Sequence, residues 1–374
     1  MKTKGGLLWG TDSDWTIEEI ELGEPVAGEV QVDLAASGLC HSDEHVRTGD
    51  LPMQFPFLGG HEGAGVVTKV GAGVTGLAEG DHVVLGFIPA CGRCPSCSSG
   101  HQNLCDLGMY LMSPPAIADG TIRAKARGQD IARMCQLGTF SPTVVVHESS
   151  VIKIENDIPL ERAALVGCGV TTGWGSSVYA AQVQPGDTVV VVGVGGIGMN
   201  AVQGAALAGA KRVVAIDAQP FKRDQAAIFG ATHTFASMAE AHQPLTELTW
   251  GRLADRLVLT VGRVTGDLLA EAMALVTKNG TAVVTGMGNV MDMDVKLNLF
   301  DLTMMQKTLR GCIFGGGNPR FDIPKLLGLY RDGQLKLDEL VTTEYKLEEL
   351  NQGYADMYAG KNIRGVVRYT DADR

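Results

Sequence analysis

Cys40-His41-Ser42-Asp43-Glu44-His45 puts a thiol, two imidazoles, a hydroxyl and two carboxylates into consecutive positions. Taken with Gly60-His61-Glu62 and Gly167-Cys168-Gly169, this run offers Cys40, His61 and Cys168 as three ligands for a metal ion. Two thiolates, one imidazole and an open fourth position suit a catalytic zinc ion. The three residues are scattered along the chain, so two buried cysteines and some surface histidines would give the same local pattern.

A second cluster is local and more specific. Cys91-Gly-Arg-Cys94-Pro-Ser-Cys97, followed by Cys105, supplies four thiols in one short stretch. Two successive two-residue gaps let the backbone wrap one ion, and four sulfurs leave no open position, so the expected site is a structural zinc. An iron–sulfur cluster is the competing reading. Cys135 and Cys312 are left over. Eight cysteines in a chain of 374 residues do not form a disulfide scaffold, and their clustering indicates metal use in a reducing compartment.

The third chemical signal is a glycine turn. Thr188-Val-Val-Val-Val192 reads as a buried strand and runs into Gly193-Val194-Gly195-Gly196-Ile197-Gly198. A helical stretch follows from Met199 to Ala208, then a strand ending at Asp217. Strand, glycine turn, helix, strand and acid in that order mark a dinucleotide-binding unit. Gly193 permits the turn, Gly195 lets backbone approach a pyrophosphate, and Gly198 permits close helix–strand packing, with Gly196 and Ile197 completing the loop. Asp217 can accept hydrogen bonds from an adenosine ribose and would repel a 2′-phosphate, which favours NAD over NADP. Lys222 is placed to flank the adenosine half, or is an ordinary surface lysine.

These signals need two kinds of scaffold. Before residue 170 the chain has short period-two runs, such as Val30–Leu34, Gly63–Gly71 and Gly80–Val84, and predicts a largely β domain with a curled, barrel-like sheet. From there to about 310, strands alternate with helices, as in a parallel sheet. The expected domains are 1–169, 170–310 and a return of 311–374 to the first domain. Ser113-Pro114-Pro115 predicts a turn, and Arg123, Lys125, Arg127 and Arg133 read as a solvated basic loop. A net charge of −11 with no basic stripe opposes nucleic-acid binding. The N-terminal apolar run is too short for a signal peptide and no uninterrupted segment spans a membrane, which points to the cytoplasm.

Together these motifs resemble, in order and over essentially the whole chain, the zinc-containing medium-chain alcohol dehydrogenases. Within them the chain looks most like the actinobacterial NDMA-dependent alcohol dehydrogenases, or nicotinoproteins. The resemblance implies a GroES-like catalytic domain combined with a Rossmann domain, thus an α/β and β chain, with an active site in the cleft between them. It implies zinc at Cys40, His61 and Cys168, a second zinc at Cys91, Cys94, Cys97 and Cys105, and NAD(H), retained tightly in the nicotinoprotein case. Asp43 matches the carboxylate that orients the ligand histidine and Glu62 a carboxylate near the zinc. Ser42 and His45 match a proton path, Thr172 a residue beside the nicotinamide, and Arg364 one near the pyrophosphate. His41 stands where some members carry a pyrophosphate-facing arginine. Leu51, Phe87 and Trp174 would wall a substrate pocket, or simply pack a core.

The implied reaction is hydride transfer between a primary or secondary alcohol and NAD, reversibly giving an aldehyde or ketone, in a homodimer or homotetramer. Thiol-dependent formaldehyde dehydrogenase, using mycothiol or glutathione, is the first rival. A noncatalytic nucleotide-binding or structural protein is the second.

Overall fold

The computed structural model describes residues 1–112 and 114–374, so the turn expected at Ser113-Pro114-Pro115 begins outside the described residues. The chain divides into two compact units, Met1–Cys168 with Asn318–Arg374, and Gly169–Gly317.

The first segment runs β1 (Lys2–Leu8), β2 (Thr16–Leu22), β3 (Glu29–Gly38), α1 (His41–Arg47), β4 (Phe57–Leu58), β5 (Gly63–Val70) and β6 (His82–Leu85). It continues with α2 (Pro95–Ser98), β7 (Ala124–Ala126), β8 (Gln129–Asp130), β9 (Ala132–Arg133), β10 (Thr143–His147), β11 (Val151–Lys153) and α3 (Leu160–Ala163). The second unit contains α4 (Gly169–Gly175), β12 (Thr188–Val192), α5 (Gly196–Leu207), β13 (Arg212–Ile216), α6 (Pro220–Ala226), β14 (His233–Phe235) and α7 (Met238–Leu248). It closes with β15 (Ala254–Leu259), α8 (Gly266–Ala274), β16 (Val276–Val284), α9 (Leu299–Met304) and β17 (Thr308–Gly311). The chain then returns to the first unit with α10 (Pro319–Arg331), β18 (Val341–Tyr345), α11 (Leu350–Tyr358) and β19 (Arg364–Arg368).

The first unit holds two sheets. One has the order β8-β7-β2-β1-β4-β9; the other runs β11-β6-β5-β3-β19-β18, with β10 also paired to β3. β3 is the hub, because it pairs antiparallel with β5, β10 and β19. The core between these elements includes Leu8, Trp15, Val32, Leu34, Phe57, Phe140, Leu350 and Tyr354. β1 escapes the reading of local pattern because Gly5-Gly6 lowers its strand propensity; pairing with β2 and β4 overrides that.

The expected solvated basic loop is half wrong. β7 pairs with β2 and alternates, so Ala124 and Ala126 face in while Lys125 and Arg127 face out. Arg123 is buried and its Nε donates to Glu29 at 2.7 Å. Arg133 is buried as well, donating to the Val145 carbonyl at 2.6 Å, and burial pushes its guanidinium down to about 10. Outside, the Arg127 guanidinium sits 4.2 Å over the Trp9 ring and binds Glu18.

The second unit is one sheet of six parallel strands, ordered β14-β13-β12-β15-β16-β17. β12 is central and wholly buried, which is why it reads as a continuous apolar run. The chain leaves β12 toward β13 and later returns on its other side through β15. The carboxyl end of β12 is therefore the topological switch point, where such sheets form their ligand crevice. Among the described residues no helix is long and apolar enough to cross a membrane.

Candidate metal centre and cofactor loop

The polar run that opens the site forms α1, with Cys40 as its extended N-cap residue. β3 delivers Cys40, the entry to β5 delivers His61 and Glu62, and the turn after α3 delivers Cys168. These four residues come together: one ligand atom from each lies within 4.8 Å of the others, and all four are buried. His61 Nδ1 lies 3.0 Å from Asp43 Oδ2, which leaves Nε2 for the sulfurs. Asp43 Oδ1 accepts the Gly60 N–H at 2.6 Å, which ties the carboxylate to the loop that carries His61.

A hydrogen bond from Cys168 and the charge on His61 hold the Cys40 thiol well below its ordinary value despite burial. The same bond pushes Cys168 well above its own. Burial lowers the His61 imidazolium, but Asp43 and Cys40 outweigh it and raise it well above the ordinary value. Burial raises Asp43 and Glu62. Two thiols, an imidazole and a carboxylate converging in a buried site form a donor set that fits a divalent cation such as zinc.

Glu62 is not free to act alone. Its Oε2 contacts the Arg364 guanidinium, whose Nη2 also donates to the Leu39 carbonyl at 3.0 Å. The carboxylate occupies the space a side chain at Gly38 would take, since a Cβ there would fall 1.9 Å from Oε2. Ser42 Oγ lies 3.7 Å from Cys40 Sγ. His45 Nδ1 lies 3.3 Å from Asp50 Oδ2. Phe87 meets the His61 ring edge-on at 5.8 Å, and Phe87 and Leu51 both pack against the core of the first unit. Trp174 belongs to the second unit, on α4, where its ring meets Tyr179 edge-on at 5.4 Å.

Cys91, Cys94, Cys97 and Cys105 also converge within 4.8 Å, as free thiols. The pairs Cys91–Cys97 and Cys94–Cys105 are each 3.9 Å apart. A tetrahedral zinc with its usual sulfur distance would set its ligands roughly 3.8 Å apart. Backbone N–H groups of Cys91, Cys94, Cys97 and Asp106 point at these sulfurs from 3.4 to 3.5 Å, the donors that anionic sulfur requires. Against the effect of burial, such backbone donors bring Cys91 down to about 6, while burial takes Cys97 up to about 12.

In the second unit Gly193 has φ +86°, and a Cβ on Gly198 would fall 2.0 Å from the Gly193 carbonyl, so the turn and helix touch as the motif requires. Gly195 is the N-cap of α5 and offers no side chain to its first N–H groups, which suits an anionic group there. The space over Gly195 is open, with Lys222 Nζ 3.9 Å from the Cβ position. Asp217 follows β13; its Oδ2 accepts the Val194 N–H and its Oδ1 the Gln219 N–H, each at 2.9 Å. The buried Thr172 hydroxyl has no hydrogen-bond partner among the described residues, leaving it available to a ligand. These features fit a dinucleotide.

Residues 26–156 match the alcohol dehydrogenase GroES-like domain family and residues 196–331 the zinc-binding dehydrogenase family. Alcohol dehydrogenase B of Mycobacterium tuberculosis is 54% identical over 375 residues, covering 100% of each chain. The chain belongs to the zinc-containing medium-chain alcohol dehydrogenase family. An NDMA-dependent alcohol dehydrogenase of Amycolatopsis methanolica is 50% identical over 370 residues, 99% of this chain and 100% of that protein. A zinc-binding-domain alcohol dehydrogenase from Burkholderia ambifaria superposes with a TM-score of 0.92 at 32% identity, over 99% of both chains. Benzyl alcohol dehydrogenase from Acinetobacter calcoaceticus gives 0.90 at 26% identity, over 99% of this chain and 100% of that one.

Within this alcohol dehydrogenase fold, some site residues carry no motif. Asp50 follows α1 and pairs with His45; reading 41–47 as a helix would have exposed it as the acid just past the helix end. Glu44 is buried and held by Arg47 and Tyr358, and Tyr354 reaches the Cys40 carbonyl. Only the four-residue spacing of these tyrosines on α11 hinted at a shared face.

Proposed function

We propose that this alcohol dehydrogenase is zinc- and NAD-dependent, carrying hydride reversibly between a primary or secondary alcohol and NAD, with NAD(H) held tightly and recycled by an external acceptor. The observation that carries this reading is the buried Cys40–His61–Glu62–Cys168 cluster, in a chain half identical end to end to an NDMA-dependent enzyme. When bound, zinc supplies Lewis acidity to the alcohol oxygen and NAD supplies the hydride acceptor.

The protein's own part is orientation and proton handling. Cys40, His61 and Cys168 hold the catalytic zinc, with Asp43 fixing the His61 tautomer and Glu62 beside the cluster. Ser42 takes the alcohol proton and His45 passes it to solvent; both lie on α1, three residues apart and so on one face. Asp50 keeps the His45 ring oriented. Leu51 and Phe87 give the substrate an apolar wall, with Trp174 the third candidate. The residues assigned to the cofactor are His41, Thr172, Gly193, Gly195, Gly196, Ile197, Gly198, Asp217, Lys222 and Arg364. Cys91, Cys94, Cys97 and Cys105 hold a second, structural zinc.

The working form is a homodimer or homotetramer in the cytoplasm. In support of an oligomer, the second unit exposes Met291, Met293, Leu299, Phe300 and Met304 in the stretch that precedes the edge strand β17. The eight free thiols fit a reducing compartment.

Native mass spectrometry of the purified protein, paired with benzyl alcohol turnover using a nitroso acceptor, tests the reading. Two zinc ions, retained NAD(H), more than one subunit and acceptor-driven turnover are expected. Strict dependence on a thiol–formaldehyde adduct, or an absence of zinc, overturns it.

A further inference from the structure

We propose that Tyr354 and Tyr358, one turn apart on α11, are positioning residues that clamp α1 in the orientation its polar side chains need; the proposal rests on the alcohol dehydrogenase reading above.

α1 has only seven residues, and its N-cap, Cys40, makes no side-chain capping bond. So short a helix has little stability of its own and takes its orientation from its neighbours. α11 reaches it at two points. The Tyr354 hydroxyl donates to the Cys40 carbonyl at 3.4 Å, where the helix begins. The Tyr358 hydroxyl donates to Glu44 Oε1 at 3.1 Å, and its ring stands edge-on to His41 with centroids 6.0 Å apart. Between these points lie Ser42 and Asp43, and one residue beyond Glu44 lies His45.

The clamp is rigid on its own side. Tyr354 is buried, stacked on Trp15 at 5.8 Å and edge-on to Phe140 at 6.3 Å. Asn351 on the same helix exchanges hydrogen bonds with the Trp15 backbone at 2.9 Å in both directions. Tyr358 is different: its ring is half in solvent, so core packing does not explain it. Its partner does. Glu44 is buried, and a buried carboxylate is costly unless it is hydrogen-bonded. Arg47 and Tyr358 both bind Oε1, so Glu44 becomes a fixed post within α1 to which α11 is tied.

Tyr354→Phe, Tyr358→Phe, Glu44→Gln and the Tyr358→Phe/Glu44→Gln double variant test this. Each is loaded with cobalt(II) in place of zinc and also assayed, as the zinc protein, with benzyl alcohol. Tyr354→Phe is expected to shift the cobalt–thiolate absorption, because it frees the backbone of a ligand. Tyr358→Phe is expected to lower kcat about tenfold with KM changed less than about twofold, the loss of one hydrogen bond to a charged group felt in the transition state. The double variant should lose no more than Glu44→Gln alone. A variant that matches the parent in spectrum and kcat, or that loses only thermal stability, overturns the claim for that tyrosine. A parent inactive on every alcohol instead refutes the dehydrogenase reading, and the cobalt spectra still decide whether α11 holds the site.

Discussion

Asp43 and His61 face each other at 3.0 Å in a fully buried setting, with the carboxylate's other oxygen tied to the backbone N–H of Gly60. One carboxylate thereby fixes both the imidazole and the loop that carries it. Asp43→Asn keeps the shape but loses the charge that selects the His61 tautomer. Zinc affinity at this site should fall roughly 10- to 100-fold, measured by chelator competition, while the four-cysteine zinc stays in place.

Proton release should accompany zinc binding at that site. His61 and Cys168 are both held above their ordinary values by their neighbours, the direction that favours their protonated forms. Zinc takes a thiolate and a neutral imidazole, so binding releases protons and affinity falls as pH falls. Calorimetry in buffers of different ionisation enthalpy should show net proton release on zinc binding. Binding without proton release would contradict this.

The four-cysteine lobe should depend on its metal. Cys97→Ser removes one sulfur that burial leaves protonated until a cation replaces the proton. The variant should carry one zinc ion fewer per subunit by elemental analysis, and should melt roughly 3–5 °C lower, the shift expected for a few kcal/mol in a chain of this size.

Much of this architecture was legible because its signals are local. The four-cysteine spacing, the β12–glycine–α5–β13 order and Asp217 each lie within a few tens of residues, and the chemistry dictates the spacing. Cys40, His61 and Cys168 needed the whole family pattern, since only the fold of β3, β5 and the turn after α3 brings them together. What stayed hidden was set by distant partners. Tyr358 and Glu44 are 314 positions apart, and Arg123 reaches Glu29 across 94. A basic side chain in a loop and one buried under a sheet look alike until the partner strand is known. α1 was hidden for another reason: Val46 is its one apolar residue, so it lacks the apolar periodicity that announces a helix.

Asp217 should set cofactor choice. Its carboxylate ends β13 and braces the glycine turn through Val194. Asp217→Ser removes the negative charge that disfavours a 2′-phosphate. The ratio of NAD to NADP affinity, measured by fluorescence titration of cofactor-stripped protein, should fall about tenfold or more. An unchanged ratio would place cofactor choice elsewhere.

Ser42 should be needed for chemistry more than for binding. Ser42→Ala leaves the ligand set intact but removes the hydroxyl beside Cys40. kcat for alcohol oxidation should drop about 10²- to 10⁴-fold with zinc content unchanged. His45→Gln should reduce the rate less, and most strongly at low pH, where solvent offers the weakest base.

The most direct measurement is a single turnover with no added cofactor. Purified protein is mixed with benzyl alcohol, and the near-ultraviolet absorbance of NADH is followed before and after zinc removal. A rapid rise of at most about one NADH per subunit is expected, abolished by zinc removal and discharged by a nitroso acceptor. A protein that forms no NADH even when NAD is supplied, or that forms it equally well without zinc, is not a zinc-dependent dehydrogenase.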